Sequence, residues 1–251
     1  YGSSQNMFDY PLLFPACLLE YLEATGDEET AKELFPLAVK QVELAKKRFD
    51  ENGLIKRDSV GWCFIDWNED VDKSASAQAV YIYALKTLKR LGEKLNADMV
   101  PLNKEIEQKT QAALRAFYDS EKGLFIGYGK HISYMDNVWF CLAEVFTKEE
   151  QAKLLTRLEK QKNAVKPVTP YAYHYYVQAL MDCGLTERAF ALINEYWGSM
   201  VALGADTFFE CFDPNDTKKS PYGNAALNSY CHAWSCTPVY FIYTYPEIFQ
   251  K

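Results

Sequence analysis

The chain has 251 residues, 49% of them hydrophobic and 15% aromatic, with a net charge of −7. That is enough for one buried core and too little for two large domains, so residues 1–251 read as a single domain. Lys and Arg are dispersed without a basic face, which argues against nucleic acid, and no apolar run approaches the ~20 residues of a membrane-crossing helix.

Helical periodicity dominates. The first helix is expected at 9–25, with Pro11 in its first turn, where a missing N–H costs nothing. Over 28–50, Ala31, Phe35, Ala38, Val42, Ala45 and Phe49 alternate at spacings of four and three. Leu34, Leu37 and Leu44 form a second stripe, which predicts neighbours on two sides. Segment 72–95 carries Ala77, Tyr81, Ala84, Leu88 and Leu91, and segment 98–118 carries Leu102, Ile106, Ala113 and Ala116. Further helices are expected at 134–146, 148–160, 170–183, 186–202 and 230–246. Thr147-x-x-Glu150 reads as a capping box. Thr25-Gly26-Asp27 and Gly184-Leu185-Thr186 each stop one helix and cap the next. Connections this short make antiparallel helix pairs.

A weak internal repeat organises the pairs. Gly53, Gly123 and Gly204 each close the second helix of a pair, and a longer segment follows at 53–71, 123–135 and 204–229. If the pairs stack around one axis, these segments share a rim. They hold Trp62, Asp66, Trp67, Glu69 and Asp70; then His131 and Tyr134, with Asp136 just after; then Asp206, Phe208, Phe209 and Glu210. Acids and aromatics on loops of a helical scaffold point to a carbohydrate site. Aromatic faces meet the C–H side of a sugar ring, and hydrolysis needs one carboxyl as acid and one as base or nucleophile. Asp66, Glu69, Asp70, Asp72, Asp136, Asp206 and Glu210 are the candidates; Asp72 also reads as an N-cap. Asp66 and Glu69 suit surface ion pairs equally well. His131, His174 and the tyrosines at 171, 173, 175 and 176 read as packing.

The cysteines, Cys17, Cys63, Cys141, Cys183, Cys211, Cys231 and Cys236, are odd in number and lack a C-x-x-C pair. They read as buried small hydrophobes in a reducing compartment, with no metal site. Nothing calls for a cofactor. Localisation stays open between cytoplasm and periplasm.

The stretch Trp62-Cys63-Phe64-Ile65-Asp66-Trp67-Asn68-Glu69-Asp70-Val71-Asp72-Lys73 resembles the middle of the bacterial α-L-rhamnosidase catalytic domain, glycoside hydrolase family 78. Ala77 to Leu85 continues the likeness. Gly204 to Glu210 resembles that family's Gly-Ala-Thr-Thr-Phe-Trp-Glu motif, and Cys231-His232-Ala233-Trp234-Ser235 its Ser-His-Gly-Trp-Ser motif. Phe209, Asp206 and Cys231 depart from the family's usual Trp, Thr and Ser. The resemblance implies an all-α (α/α) toroid of six helix hairpins and inverting chemistry on a rhamnose-containing glycoside or polysaccharide. Glu210 would be the general base, His232 would line the sugar pocket and Trp67 would pack on the sugar. Asp66, Glu69, Trp62, Asp136 and Trp234 join them as substrate-binding candidates. About nine expected helices stand against the twelve of six hairpins, so the resemblance implies the C-terminal portion of a catalytic domain, with the general acid in a partner segment upstream. Two alternatives stay open: a toroid hydrolase of another sugar (an α-glucoside or uronic-acid unit), and a non-catalytic carbohydrate-binding fragment.

Overall fold

The computed structural model describes residues 7–68 and 71–249. Among them are ten α-helices: α1 (Tyr10–Thr25), α2 (Glu28–Lys46), α3 (Ser74–Lys94), α4 (Val100–Phe117), α5 (Tyr134–Leu142), α6 (Lys148–Glu159), α7 (Pro170–Asp182), α8 (Thr186–Ala202), α9 (Thr237–Thr244) and α10 (Pro246–Phe249). A two-stranded antiparallel pair, β1 (Tyr118–Asp119) and β2 (Leu124–Phe125), sits between α4 and α5. The chain divides into two compact units, Tyr1–Ile65 with Val71–Val145, and Asp66–Asp70 with Phe146–Lys251.

The first unit is built around α3. Fifteen of its 21 residues are buried, Ser74, Ser76, Gln78 and Thr87 among them, because α1, α2, α4 and α5 all pack against it. Small residues (Ala75, Ala77, Ala79 and Ala84) let the neighbours approach, and Phe125 stacks on Phe140 at 3.8 Å. The repeat has a physical counterpart here. Gly53 and Gly123 adopt φ +89° and +64° in turns closed by the Phe49–Ile55 bridge and the β1–β2 pair. A buried amide holds each turn from inside. Gln78 of α3 accepts from Ile55 N at 2.9 Å and donates to Gly53 O and Lys109 O. Asn137 of α5 accepts from Phe125 N at 2.8 Å and donates to the carbonyls of Phe125 and Ser133.

In the second unit α7 packs on α8, α6 and α9. The capping box at Thr147 is present with both of its hydrogen bonds, and Thr169 caps α7 through Ala172 N. Trp197 donates from Nε1 to Ser235 O at 2.9 Å, tying α8 to the last irregular stretch.

Several expectations need correction. The helix expected at 230–246 is helical only from Thr237; Cys231 to Ser235 form an irregular stretch with one 3-10 turn at Ala233–Ser235, held by hydrogen bonds to residues 208–210. Thr186 is the first residue of α8, and Leu185 before it makes no side-chain cap. Leu37 and Leu44, the expected second contact stripe of α2, are exposed. Cys17, Cys231 and Cys236 are exposed as well, so only Cys63, Cys141 and Cys211 behave as buried small hydrophobes. No helix among the described residues is long and apolar enough to cross a membrane.

Candidate active site

Gly204, at φ +85°, ends α8, and the chain then runs past a later stretch of itself. Glu210 N donates to Ser229 O at 2.8 Å, His232 N to Phe208 O at 3.0 Å, and the Thr207 hydroxyl to Tyr230 O. Trp234 Nε1 donates to Glu210 O at 3.0 Å, and Ser235 Oγ to Phe209 O at 2.7 Å. Glu210 is therefore pinned at both its N–H and its carbonyl. Its side chain is 5% exposed and accepts from Tyr222 Oη at 2.5 Å and from Ser229 N at 3.0 Å. The tyrosine's phenol is pushed up to about 12, first by this hydrogen bond and then by burial.

Tyr222 also meets Trp67 edge-on, with ring centroids 5.9 Å apart. Glu210, Tyr222 and Trp67 thus form one contact chain, in which Tyr222 is 45% exposed and can be approached from solvent. A second aromatic group meets Glu210 at its carbonyl: the Trp234 ring, which donates to it, has its centroid 4.3 Å from that of His232 and 5.8 Å from that of Tyr171.

Asp66 has a different role from the substrate contact expected of it. It is 2% exposed, and its oxygens accept from Trp67 N, Asn68 Nδ2, Val168 N, Thr169 N and Thr169 Oγ1 at 2.7–3.2 Å. Burial pushes its carboxyl up, against the pull of the bonds from Thr169, Val168 and Trp67. Its carboxyl sits against the stretch that leads into α7, accepting from Val168 N and Thr169 N just ahead of the helix. Its effect on the site is to position Trp67.

Asp136 also departs from expectation. It lies 1% exposed inside the first unit, with Ser76 Oγ donating to its Oδ1 at 2.5 Å, so no sugar reaches it. Burial, opposed by Ser76, pushes its carboxyl up to about 7, and the Asp72 charge adds to the rise. Asp72, expected as an N-cap, stands one residue too early: Lys73 is the N-cap of α3 and makes no side-chain cap, while Asp72 accepts from Ser74 N and pairs with Arg57. Trp62 is 47% exposed on the first unit and open to a ligand. Asp206 is exposed just past the end of α8. Glu69 and Asp70 lie outside the described residues. His174 packs against Tyr240 and Phe241, and burial pushes it down to about 4.

Sequence reasoning missed Tyr222. The available signal was the turn Ser220-Pro221-Tyr222-Gly223, in which Gly223 takes φ +73° and Ser220 Oγ accepts from Tyr222 N. Among the described residues no group of three or more His, Cys, Asp or Glu is arranged to hold a metal ion.

The described residues thus form a mostly helical scaffold that presents a buried Glu beside Tyr and Trp on irregular loops. Residues 5–245 match the family described as the bacterial alpha-L-rhamnosidase 6 hairpin glycosidase domain, and the chain belongs to that family and its (α/α) toroid fold class. It is similar to a rhamnosidase from Klebsiella oxytoca solved with rhamnose bound, at 42% identity and TM-score 0.93, covering 98% of this chain and 48% of that one. The chain thus spans about half the length of that relative. Two more distant structures share the fold. A GH78 family rhamnosidase of a Bacillus species is 21% identical at TM-score 0.82, over 95% of this chain and 26% of that one. A GH63 mannosylglycerate hydrolase from Thermus thermophilus is 14% identical at TM-score 0.66, over 92% of this chain and 76% of that one. The comparison with curated proteins returned no match.

Proposed function

We propose that residues 1–251 form the base-bearing part of one catalytic domain that removes terminal α-L-rhamnosyl groups with inversion. The observation that carries this reading is Glu210. It is a buried carboxylate pinned at backbone and side chain, joined through Tyr222 to Trp67, in a chain 42% identical to a rhamnosidase solved with rhamnose. Glu210 takes a proton from water as the water attacks the anomeric carbon, and Trp67, His232 and Trp234 supply apolar faces for the sugar. Trp62 and Glu69 are further proposed sugar contacts. Asp66 and Asp136 are assigned to the scaffold on their burial. The general acid is proposed to lie in a part of the protein outside these residues. In the second unit Asp66 is enclosed by donors, while Asp213 is taken up by Lys219 and Asn215.

The test is hydrolysis of an aryl α-L-rhamnoside by the protein spanning the full length of its relatives, with the product anomer followed by NMR. The first product should be β-L-rhamnose. Glu210→Gln should lower kcat by roughly 10²–10⁴-fold, and added azide should restore turnover as the inverted rhamnosyl azide. A first-formed α-anomer, or full activity in the variant, would sink the assignment.

A further inference from the structure

A cavity of about 450 Å³ in the second unit plays no part in the hydrolytic site. It lies between residues 162–168, α8 and residues 212–219, with Asn68 on its rim. That volume falls in the range of ~300–1,000 Å³ typical of small-ligand pockets. Its floor is built rather than incidental. Tyr196 Oη donates to Val168 O at 2.9 Å and to Phe212 O at 3.2 Å, and Tyr173 stacks on the Tyr196 ring at 3.8 Å.

The cavity's charge runs against that of the chain. Lys162, Lys166 and Lys219 line it in a protein of net charge −7. Its two acids are already engaged, Asp213 by Lys219 at 3.3 Å and Glu195 by Arg188 at 3.0 Å. Lys162 and Lys166 are exposed and have no ion pair among the described residues. A concave surface with aromatic side chains and two ammonium groups that form no ion pair among the described residues attracts an anionic ligand with an apolar face. The backbone donors at the entry to α7 are not open to a phosphate: Val168 N and Thr169 N are taken by Asp66, and Ala172 N by the Thr169 hydroxyl. No Arg fork lines the cavity either, so point charges suited to a single carboxylate remain.

We propose that this cavity binds a carboxylate-bearing sugar, a uronate unit of the same glycan. The anion part of the proposal stands on the cavity itself. The sugar part rests on the hydrolase reading and on chain proximity: Asn68 follows Trp67, and Phe212 and Asp213 follow shortly after Glu210.

The experiment is calorimetric titration of the protein spanning the full length of its relatives with methyl α-D-galacturonate, with its neutral methyl ester, and separately with L-rhamnose. The acid should bind about tenfold more tightly than the ester, the effect of one charge-assisted hydrogen bond. Lys162→Ala/Lys166→Ala, with folding checked by circular dichroism, should lose that tenfold and leave the L-rhamnose titration unchanged. Equal binding of acid and ester, or no change in the double variant, would overturn the proposal. Inorganic sulfate binding as tightly as the acid would overturn its sugar part and leave an anion site only. Acid binding without any L-rhamnose binding would support the cavity and count against the hydrolase reading.

Discussion

At the residue scale, two carboxylates that look alike in sequence differ in what surrounds them. Glu210 has two donors and a half-exposed tyrosine beside it, whereas Asp66 is enclosed by five donor groups. Removing Tyr222's hydroxyl should therefore affect chemistry. Tyr222→Phe should lower kcat by about tenfold with KM little changed, the loss of one hydrogen bond to a charged group; an unchanged kcat would remove Tyr222 from the site. Asp66→Ala should instead affect folding. It leaves buried donors at Val168 and Thr169 unpaired, and urea denaturation should show a loss of about 3 kcal/mol or more. Asp136 supplies a pH effect. Its carboxyl is pushed up to about 7 from 3.8, so the native state keeps a proton that the unfolded chain releases. That stability is complete below about pH 4, declines as pH rises, and is lost above about pH 7. The decline is on the order of a few kcal/mol. His174, pushed down to about 4, contributes the opposite slope, so the test is the difference between wild type and Asp136→Asn in denaturation curves run across pH: the wild type's advantage should shrink from about pH 4 to about pH 7, and a difference that stays constant or grows would exclude this role for Asp136.

At the scale of elements, amphipathic spacing located every major helix to within a few residues, because periodicity is a local signal that burial reinforces. The exception, 230–246, is instructive. His232 and Trp234 sit in an apolar run long enough for a helix, yet their backbone bonds go to residues 208–210. A partner more than twenty residues away supplied the hydrogen bonds that a helix would otherwise have made. The stripe on α2 erred the other way: Leu37 and Leu44 repeat at helical spacing and remain exposed. The turns held by Gln78 and Asn137 carry a further prediction. Gln78→Leu replaces the amide with an apolar side chain of similar size and strands Ile55 N and the carbonyls of Gly53 and Lys109. It should cost about 1–3 kcal/mol or more in urea denaturation and raise amide exchange at Ile55 first. A neutral result would mean that water replaces the amide.

At the scale of the whole molecule, the chain covers 48% of its Klebsiella relative and carries, in its second unit, one proposed base, while Asp66 and Asp213 are both held by other partners. Without an acid, the 251-residue chain alone should release no methanol from methyl α-L-rhamnoside, whose alkoxide needs a proton to leave, while remaining folded by circular dichroism. Turnover that vanishes in Glu210→Gln would place the acid inside this chain. By itself, the sequence determined the fold class, the helix register, the turns at Gly53, Gly123 and Gly204, and Glu210 as the leading candidate, because each of these is written in local spacing or in an ordered set of motifs. Only the tertiary structure decided that Asp66 and Asp136 belong to the scaffold, that Tyr222 holds Glu210, and that lysines far apart in the chain line one cavity. Burial and hydrogen-bond partnership are properties of distant segments brought together, and no local pattern of residues encodes them.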